Sequence, residues 1–405
     1  MGELSTDQGQ RIWKTQPLPP ETPVVPLSYQ HRFIHLQPGI ANDTSYSLES
    51  VPNAPFYTII APDSTNSPDE PPSSNDLSKI QSTTSVTTTV SGYIRFKDSN
   101  GIYHPLVNAR IELYDDDGSW GAQLLGTTVT NASGHFSKTI SGNDWWDSDI
   151  EVYGLIKTVN DKVRVLAEYP GAAFLPYAWS TPTTHTSGND IDWGQISINS
   201  GSYSACTIFH RMNESWNFTA THGYDPGLIT TIYPDLYEDW SYFDRANGRI
   251  YMYSEHWHWT SDEDIPRHEY GHALMYDAQN GWWPEHTGGE HSYSDILHPN
   301  FAWTEGWAHA YSQFVETDGY VNSFPLENVY NWYPEGYENE ARVGAAISDL
   351  YDSHSDGDDH ISLDYSTLLS VMQNHHIDDL HDYWYQLKDN LSGNQQHYGS
   401  RALIF

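Results

Sequence analysis

Cysteine is nearly absent from this 405-residue chain: Cys206 stands alone. No disulfide can therefore form within it, and a single thiol does not fix the redox compartment. Basic residues are also scarce, with 18 Lys and Arg against 54 Asp and Glu and a formal net charge of -36. Coulomb repulsion on that scale opposes binding to nucleic acid or an anionic membrane surface, so no nucleic-acid partner is expected. No apolar run reaches the length of a membrane span, and Met1-Gly2-Glu3-Leu4-Ser5 lacks the apolar core of a leader. The sequence is thus expected not to insert into a membrane. Plentiful Ser, Thr, Asn, Trp and Tyr with little Lys is a composition that suits an extracellular, secreted or cell-surface protein. The sequons at Asn42, Asn131, Asn213, Asn217 and Asn390 are about as many as chance supplies in such a chain and decide nothing.

The length suits two folded units and a linker. Residues 1–60 hold short extended stretches, Phe33-Ile34-His35-Leu36 and Phe56-Tyr57-Thr58-Ile59-Ile60, among many prolines. They are expected to form an extended N-terminal arm able to add a strand to a neighbouring subunit and so drive self-association. Residues 61–85 are rich in Ser, Thr and Pro and bury too little apolar surface to offset chain entropy, which predicts a linker. From Val86 the pattern alternates: Val90, Gly92, Ile94 and Phe96, then Ile111 and Leu113, Ile150 and Val152, Val163 and Val165. A period of two interrupted by turns predicts an antiparallel β-sandwich over residues 86–185. The phrases Ser91-Gly92-Tyr93-Ile94, Ala109-Arg110-Ile111-Glu112-Leu113-Tyr114-Asp115 and Thr130-Asn131-Ala132-Ser133-Gly134-His135-Phe136 resemble the transthyretin-like, carboxypeptidase-regulatory-like sandwiches. Beyond the Thr- and Gly-containing stretch Thr181 to Gly194, residues 195–405 change to a mixed pattern. A helix over 203–218, a strand over 247–253 that could offer a substrate-facing edge, and three later helices are expected there.

One string in this second unit carries chemistry: Ile265-Pro266-Arg267-His268-Glu269-Tyr270-Gly271-His272. Acidic residues 262–264 and Pro266 suit a helix start, and Asn280-Gly281 suits its end, so a helix over 265–280 is expected. Four residues apart, His268 and His272 share a face and can bind one ion, while Glu269 sits about 100° round the axis beside it. Two neutral imidazoles leave a divalent ion undercompensated, and a third, often carboxylate, ligand is expected. Glu305 in Thr304-Glu305-Gly306-Trp307-Ala308 is the candidate, on a helix capped by Asn300 whose packed side is Trp307, Tyr311, Phe314 and Val315.

These two segments resemble those of gluzincin metallopeptidases, in which an HExxH helix is joined by a glutamate from a second helix. The resemblance implies Zn²⁺ held by His268, His272 and Glu305, with Glu269 as general base acting on a metal-activated water. The metzincin alternative fails, because Met275 and Ala278 stand where that family needs a glycine and a third histidine. One departure concerns the residue that orients a zinc-bound histidine: some gluzincins use an aspartate four positions after the ligand glutamate, and His309 stands there. Asp349 is an alternative orienting group, or a solvated residue on a helix face. Tyr337, His354, His360, His375 and His376 are candidates for an oxyanion donor, each also readable as structural. The loop Asp352–Asp359 concentrates oxygen ligands and could hold Ca²⁺, or could be an acidic surface turn; Leu363 replaces the closing glutamate of an EF-hand.

The sequence therefore reads as multidomain, an all-β transthyretin-like sandwich followed by an α+β gluzincin-like metallopeptidase domain. The expected activity is that of a secreted zinc metallopeptidase acting on protein or peptide substrates. The rival reading is a structural or adhesive surface protein that keeps a peptidase-derived domain with little or no catalysis.

Overall fold

A computed structural model describes residues 12–15, 85–98, 101–116, 121–143, 149–168, 174–198, 203–253, 264–286, 288–316, 320–321, 324–325, 336–351 and 361–402. These fall into two compact units, a β-rich one ending at His210 and a mixed α/β one from Arg211 onward that also takes in Lys162–Arg164. The expected extended stretches at 33–36 and 56–60, most of the linker, and the acidic loop 352–359 lie outside the described residues.

In the β-rich unit the period-two pattern becomes alternate burial. Along the strand Val86–Lys97 every second residue is buried, Val90, Ile94 and Phe96 among them. On one side it pairs antiparallel with His135–Gly142 and on the other with Ile191–Ile198, while its end meets Tyr103–Pro105. A second sheet is built round Ile150–Lys157, which pairs antiparallel with Arg110–Asp116 and with the short strands Ala178–Ser180 and Thr184–Thr186. The strand Ala122–Val129 lies beyond Arg110–Asp116. Fully buried Ile111, Leu113, Ile150, Val152 and Ile156 give this sheet its apolar face.

Two expectations are corrected here. The sheets are not wholly antiparallel, because Ile191–Ile198 runs parallel to Val86–Lys97. Between the two, the chain passes through the second sheet, the long crossover that a parallel pair requires. The unit also runs past residue 185, since that late strand is part of it. The turn before His135 shows why its glycine is needed. Gly134 sits at φ +74°, and a Cβ there would stand 2.3 Å from the Ile94 carbonyl oxygen; the Asn131 side chain holds the turn by accepting from the Ser133 and His135 amides.

The chain passes into the second unit within helix α1, Tyr203–Thr221. A parallel pair follows, Ile229–Asp235 with Arg249–Tyr253. The strand Tyr242–Asp244 pairs antiparallel with Arg249–Tyr253 and ends the strand order. The sheet edge on this side is therefore Tyr242–Asp244 and not the strand anticipated over 247–253, which is interior.

Helix α2, Ile265–Ala278, has Pro266 in its first turn and Asp264 at its N-cap. It closes where Asn280 and Gly281 take φ of +54° and +81°, the left-handed stop that the sequence signals. Helix α3, Pro299–Val315, is capped by His298, whose ring accepts from the Asn300 amide, and not by Asn300 itself. Helix α4 is Glu340–Tyr351. Three further helices that the sequence pattern did not signal complete the unit: α5, Tyr365–Asn374, α6, Leu380–Lys388, and α7, Gly393–Ala402. Among the described residues no helix is long and apolar enough to cross a membrane.

Helices α2, α3 and α4 pack closely at glycines. A Cβ on Gly271 would meet the Ala308 Cα at 3.0 Å, and one on Gly306 would meet Val343 Cγ1 at 2.5 Å and the Glu340 carbonyl oxygen at 2.9 Å. Backbone thus lies against backbone where the ligand residues are carried. The strand Ile12–Thr15 pairs antiparallel with Gly289–Ser292 of the same chain.

Candidate metal centre

Helix α2 is buried almost all round, from Ile265 to Met275, so its polar side chains must find partners inside the unit. Arg267 points to a cluster of carboxylates: Glu214 at 2.9 Å, Asp264 at 3.4 Å and Glu316 at 3.6 Å. His268 and His272 face α3. Their Nε2 atoms are 3.1 Å apart, and each lies 3.2 Å from Glu305 Oε2. All three side chains are buried, Glu305 completely.

Hydrogen bonds alone cannot satisfy this triangle. If both imidazoles donate to Glu305, two donor nitrogens are left against each other at 3.1 Å, and if one of them is deprotonated, its edge to Glu305 sets acceptor against acceptor. A cation at the common focus removes the conflict. Around zinc, ligand atoms about 2.0–2.1 Å from the metal stand roughly 3.3 Å apart in a tetrahedron, close to the spacings seen. The His, His, Glu donor set is also that of catalytic zinc, with one position left for a water or substrate oxygen. The residues present fit the ion.

Glu269 is buried beside the triangle and accepts from the Phe243 backbone N–H of the edge strand. Burial, and then the charge of Glu305, hold its carboxyl well above the usual range, with the Phe243 amide acting in the opposite sense. Burial opposes the Glu305 charge, yet His272, His291 and the hydrogen bonds from the two ligand histidines keep its carboxyl well below the ordinary value. Burial brings His268 down to about 4. Trp283, partly exposed, lies against His272 with ring centroids 5.7 Å apart, and the Arg245 guanidinium sits 5.3 Å above the Trp283 ring.

A second layer of polar groups lies behind the ligands. His268 Nδ1 is 3.2 Å from His309 Nδ1, and the Tyr293 hydroxyl is 3.3 Å from the same His309 atom. The His291 Nδ1 faces the Gly289 carbonyl at 3.0 Å. Its Nε2 stands 3.1 Å from Glu340 and 3.6 Å from Glu305. Burial works against a charged His291, but Glu340 and then Glu305 outweigh it and raise the ring to about 9. Burial pushes the Glu340 carboxyl up as well, to about 8.

Of the residues that the sequence singled out, His268, His272, Glu305, Glu269 and His309 come together. Asp349 is buried, contrary to the solvated reading. Tyr337 stacks on His381 and His376 on Trp282, and His375 is an exposed helix C-cap. None of these three has a contact with the donor set among the described residues, and His354 and His360 lie outside them. Sequence reasoning missed His291, Tyr293, Glu340 and the Phe243 amide. His291 and Glu340 carry no local signal, because only the tertiary packing brings them to Glu305.

The site so defined is a buried His268, His272 and Glu305 group that could hold a metal. Residues 211–404 match the Mycolysin C-terminal domain, a metallopeptidase family. The chain is thus a β-rich region followed by a mixed α/β region matching that domain. No curated protein matches the sequence. Among solved structures, a 9R-lipoxygenase from Cyanothece PCC8801 is similar at 13% identity over 36% of this chain and 26% of its own, with a TM-score of 0.19. An (S)-allantoin synthase is similar at 14% over 28% and 42%, with a TM-score of 0.17. The shaft pilin SpaA of Lactobacillus rhamnosus GG is similar at 12% over 28% and 48%, with a TM-score of 0.15. The chain spans less than half the length of each of these proteins, and likenesses this slight carry no argument about fold or function.

Proposed function

We propose that this chain is a secreted zinc peptidase that hydrolyses peptide bonds of extracellular protein substrates, with Glu269 as general base. The observation that carries the reading is the triangle of donor atoms on His268, His272 and Glu305, 3.1 to 3.2 Å on a side, with the Glu269 carboxylate buried next to it. Zinc held there would polarise a scissile carbonyl and acidify a water. Glu269 takes the proton from the attacking water and later delivers it to the leaving amine. The Phe243 amide fixes the carboxylate on the side of the edge strand Tyr242–Asp244. The excess of acid over base argues against nucleic acid as a partner. Secretion rests on composition alone.

The test uses purified wild type, Glu269→Gln and His268→Ala, with metal stoichiometry and casein cleavage measured on each. Wild type should carry one zinc and cleave. Glu269→Gln should keep the zinc and lose about 10²-fold or more in turnover, since the amide cannot accept the proton. His268→Ala should lose the metal. Zinc-loaded wild type without cleavage of a broad panel of substrates would instead favour a surface scaffold that keeps a peptidase-derived domain.

A further inference from the structure

We propose that Glu340 is the positioning carboxylate of the metal site, bracing ligand Glu305 through His291 and ligand His268 through His309. The inference rests on the metal half of the proposed function and does not require that the site be catalytic.

A ligating histidine is normally oriented by a partner on its second ring nitrogen, most often a carboxylate or a backbone carbonyl. Here the partner of His268 is another imidazole, His309, 3.2 Å away. An imidazole in that position passes the task on, because its own ring stays fixed only if its far nitrogen is held. His309 Nε2 faces Glu340 Oε1 at 3.9 Å, longer than a hydrogen bond; burial holds the His309 ring well below its ordinary value, so this is a contact of a neutral imidazole with the carboxyl group. The other oxygen, Glu340 Oε2, lies 3.1 Å from His291, which reaches Glu305 Oε2 at 3.6 Å. One carboxylate therefore stands behind two of the three ligands, each time with one histidine between.

Glu340 is itself held. It is the first residue of α4 and completely buried, in the turn where a helix favours negative charge. Asn339, just before it, accepts from the Arg342 amide and donates to the Tyr293 and Asp295 carbonyls at 2.7 and 3.0 Å. Those bonds tie the start of α4 to the segment that carries His291 and Tyr293. On its other flank, Gly306 lets the α3 backbone lie against the Glu340 carbonyl, which sets Glu340 beside Glu305. Asp349 is buried on the same helix nine residues later, about 13 Å further along the axis at 1.5 Å per residue.

The test compares wild type with Glu340→Gln, Glu340→Asp and Asp349→Asn. Three properties are read: zinc affinity by competition with a chromophoric chelator, the visible spectrum of the cobalt-substituted protein, and the melting temperature of the metal-free protein. Glu340→Gln should weaken zinc about 10- to 100-fold and shift the cobalt bands, while its metal-free form melts close to wild type. Glu340→Asp, which keeps the carboxyl group, should recover part of the affinity, and Asp349→Asn should change neither affinity nor spectrum. Combining Glu340→Gln with His309→Gln should cost less than the product of the single losses if both lie on one path. A zinc affinity within twofold of wild type and an unchanged cobalt spectrum in Glu340→Gln would overturn the assignment. A drop confined to the metal-free melting temperature would also overturn it, by making Glu340 merely structural. Equal losses in Asp349→Asn would remove the special role of Glu340. Wild type that binds no zinc at all would end both this inference and the metal reading, and that result precedes any variant.

Discussion

Arg267 stands one residue before the first ligand and faces the other way. Its guanidinium is buried among Glu214 of α1, Asp264 at the α2 N-cap and Glu316 at the α3 C-cap. Removing a buried cation takes a shared partner from Asp264 and Glu316, the costly way to break such a cluster, while Glu214 keeps Arg211 at 2.9 Å. Arg267→Ala is expected to cost about 3 kcal/mol and to lower the melting temperature of the metal-free protein by roughly 6–12 °C. Arg267→Lys should lose less, since the charge remains while the planar fork is gone. Melts of both variants without zinc check this, and a change under about 2 °C in Arg267→Ala would show that water already compensates these carboxylates.

At the level of elements, glycine sets how closely the ligand helices approach. In Gly306→Ala the new methyl would sit 2.5 Å from Val343 Cγ1 and 2.9 Å from a backbone oxygen. Rotating the side chain would move Cγ1 but neither the Val343 Cβ at 2.6 Å nor the backbone oxygen, so α3 and α4 must separate. Overpacking of this kind costs about 1–3 kcal/mol, and zinc affinity should fall with it because Glu305 moves away from the histidines. Pairing the change with Val343→Ala should restore part of the stability but not all of it, as melting and zinc titration of the two proteins would show. The same elements show what the sequence could tell. Helix α2 and its two histidines were legible because a spacing of four, a proline near the start and Asn-Gly at the end are local facts. Glu305 was legible only through its family-like phrase. His298 as the α3 cap was missed because His is a rare cap beside an Asn, and Asp349 was misread because a helix buried on nearly every side has no polar face to signal. His291 and Glu340 were invisible for a different reason. Each is one acidic or basic residue in a chain with 21 His and 54 Asp and Glu, and only the packing of α3 against α4 selects them. The strand order was equally beyond reach, since nothing local says that residues 242–244 end the sheet while 249–253 lie inside it.

For the molecule as a whole, the net charge of -36 sets a field that a charged substrate must cross. Attraction or repulsion over several ångströms alters encounter rates and is screened by salt. The proposed peptidase should therefore cleave a Lys-rich peptide with a kcat/KM that falls as NaCl rises from about 20 to about 300 mM. An Asp- and Glu-rich peptide of the same length should show the opposite trend. Steady-state rates on the two peptides decide it, and a flat response in both would place the acidic surface away from the cleft. The single thiol has a consequence of another kind. Cys206 is wholly buried within α1, and burial holds its thiol well above the usual range. A metallopeptidase can be kept latent by a thiolate that caps its metal and is released by oxidants or mercurials. Cys206 is withheld from solvent and from ionisation, so this thiol cannot serve as such a cap. Maleimide should leave the native protein unlabelled and react once per chain only after denaturation, as intact mass would record. Mercurials, for the same reason, should neither awaken nor silence the folded protein.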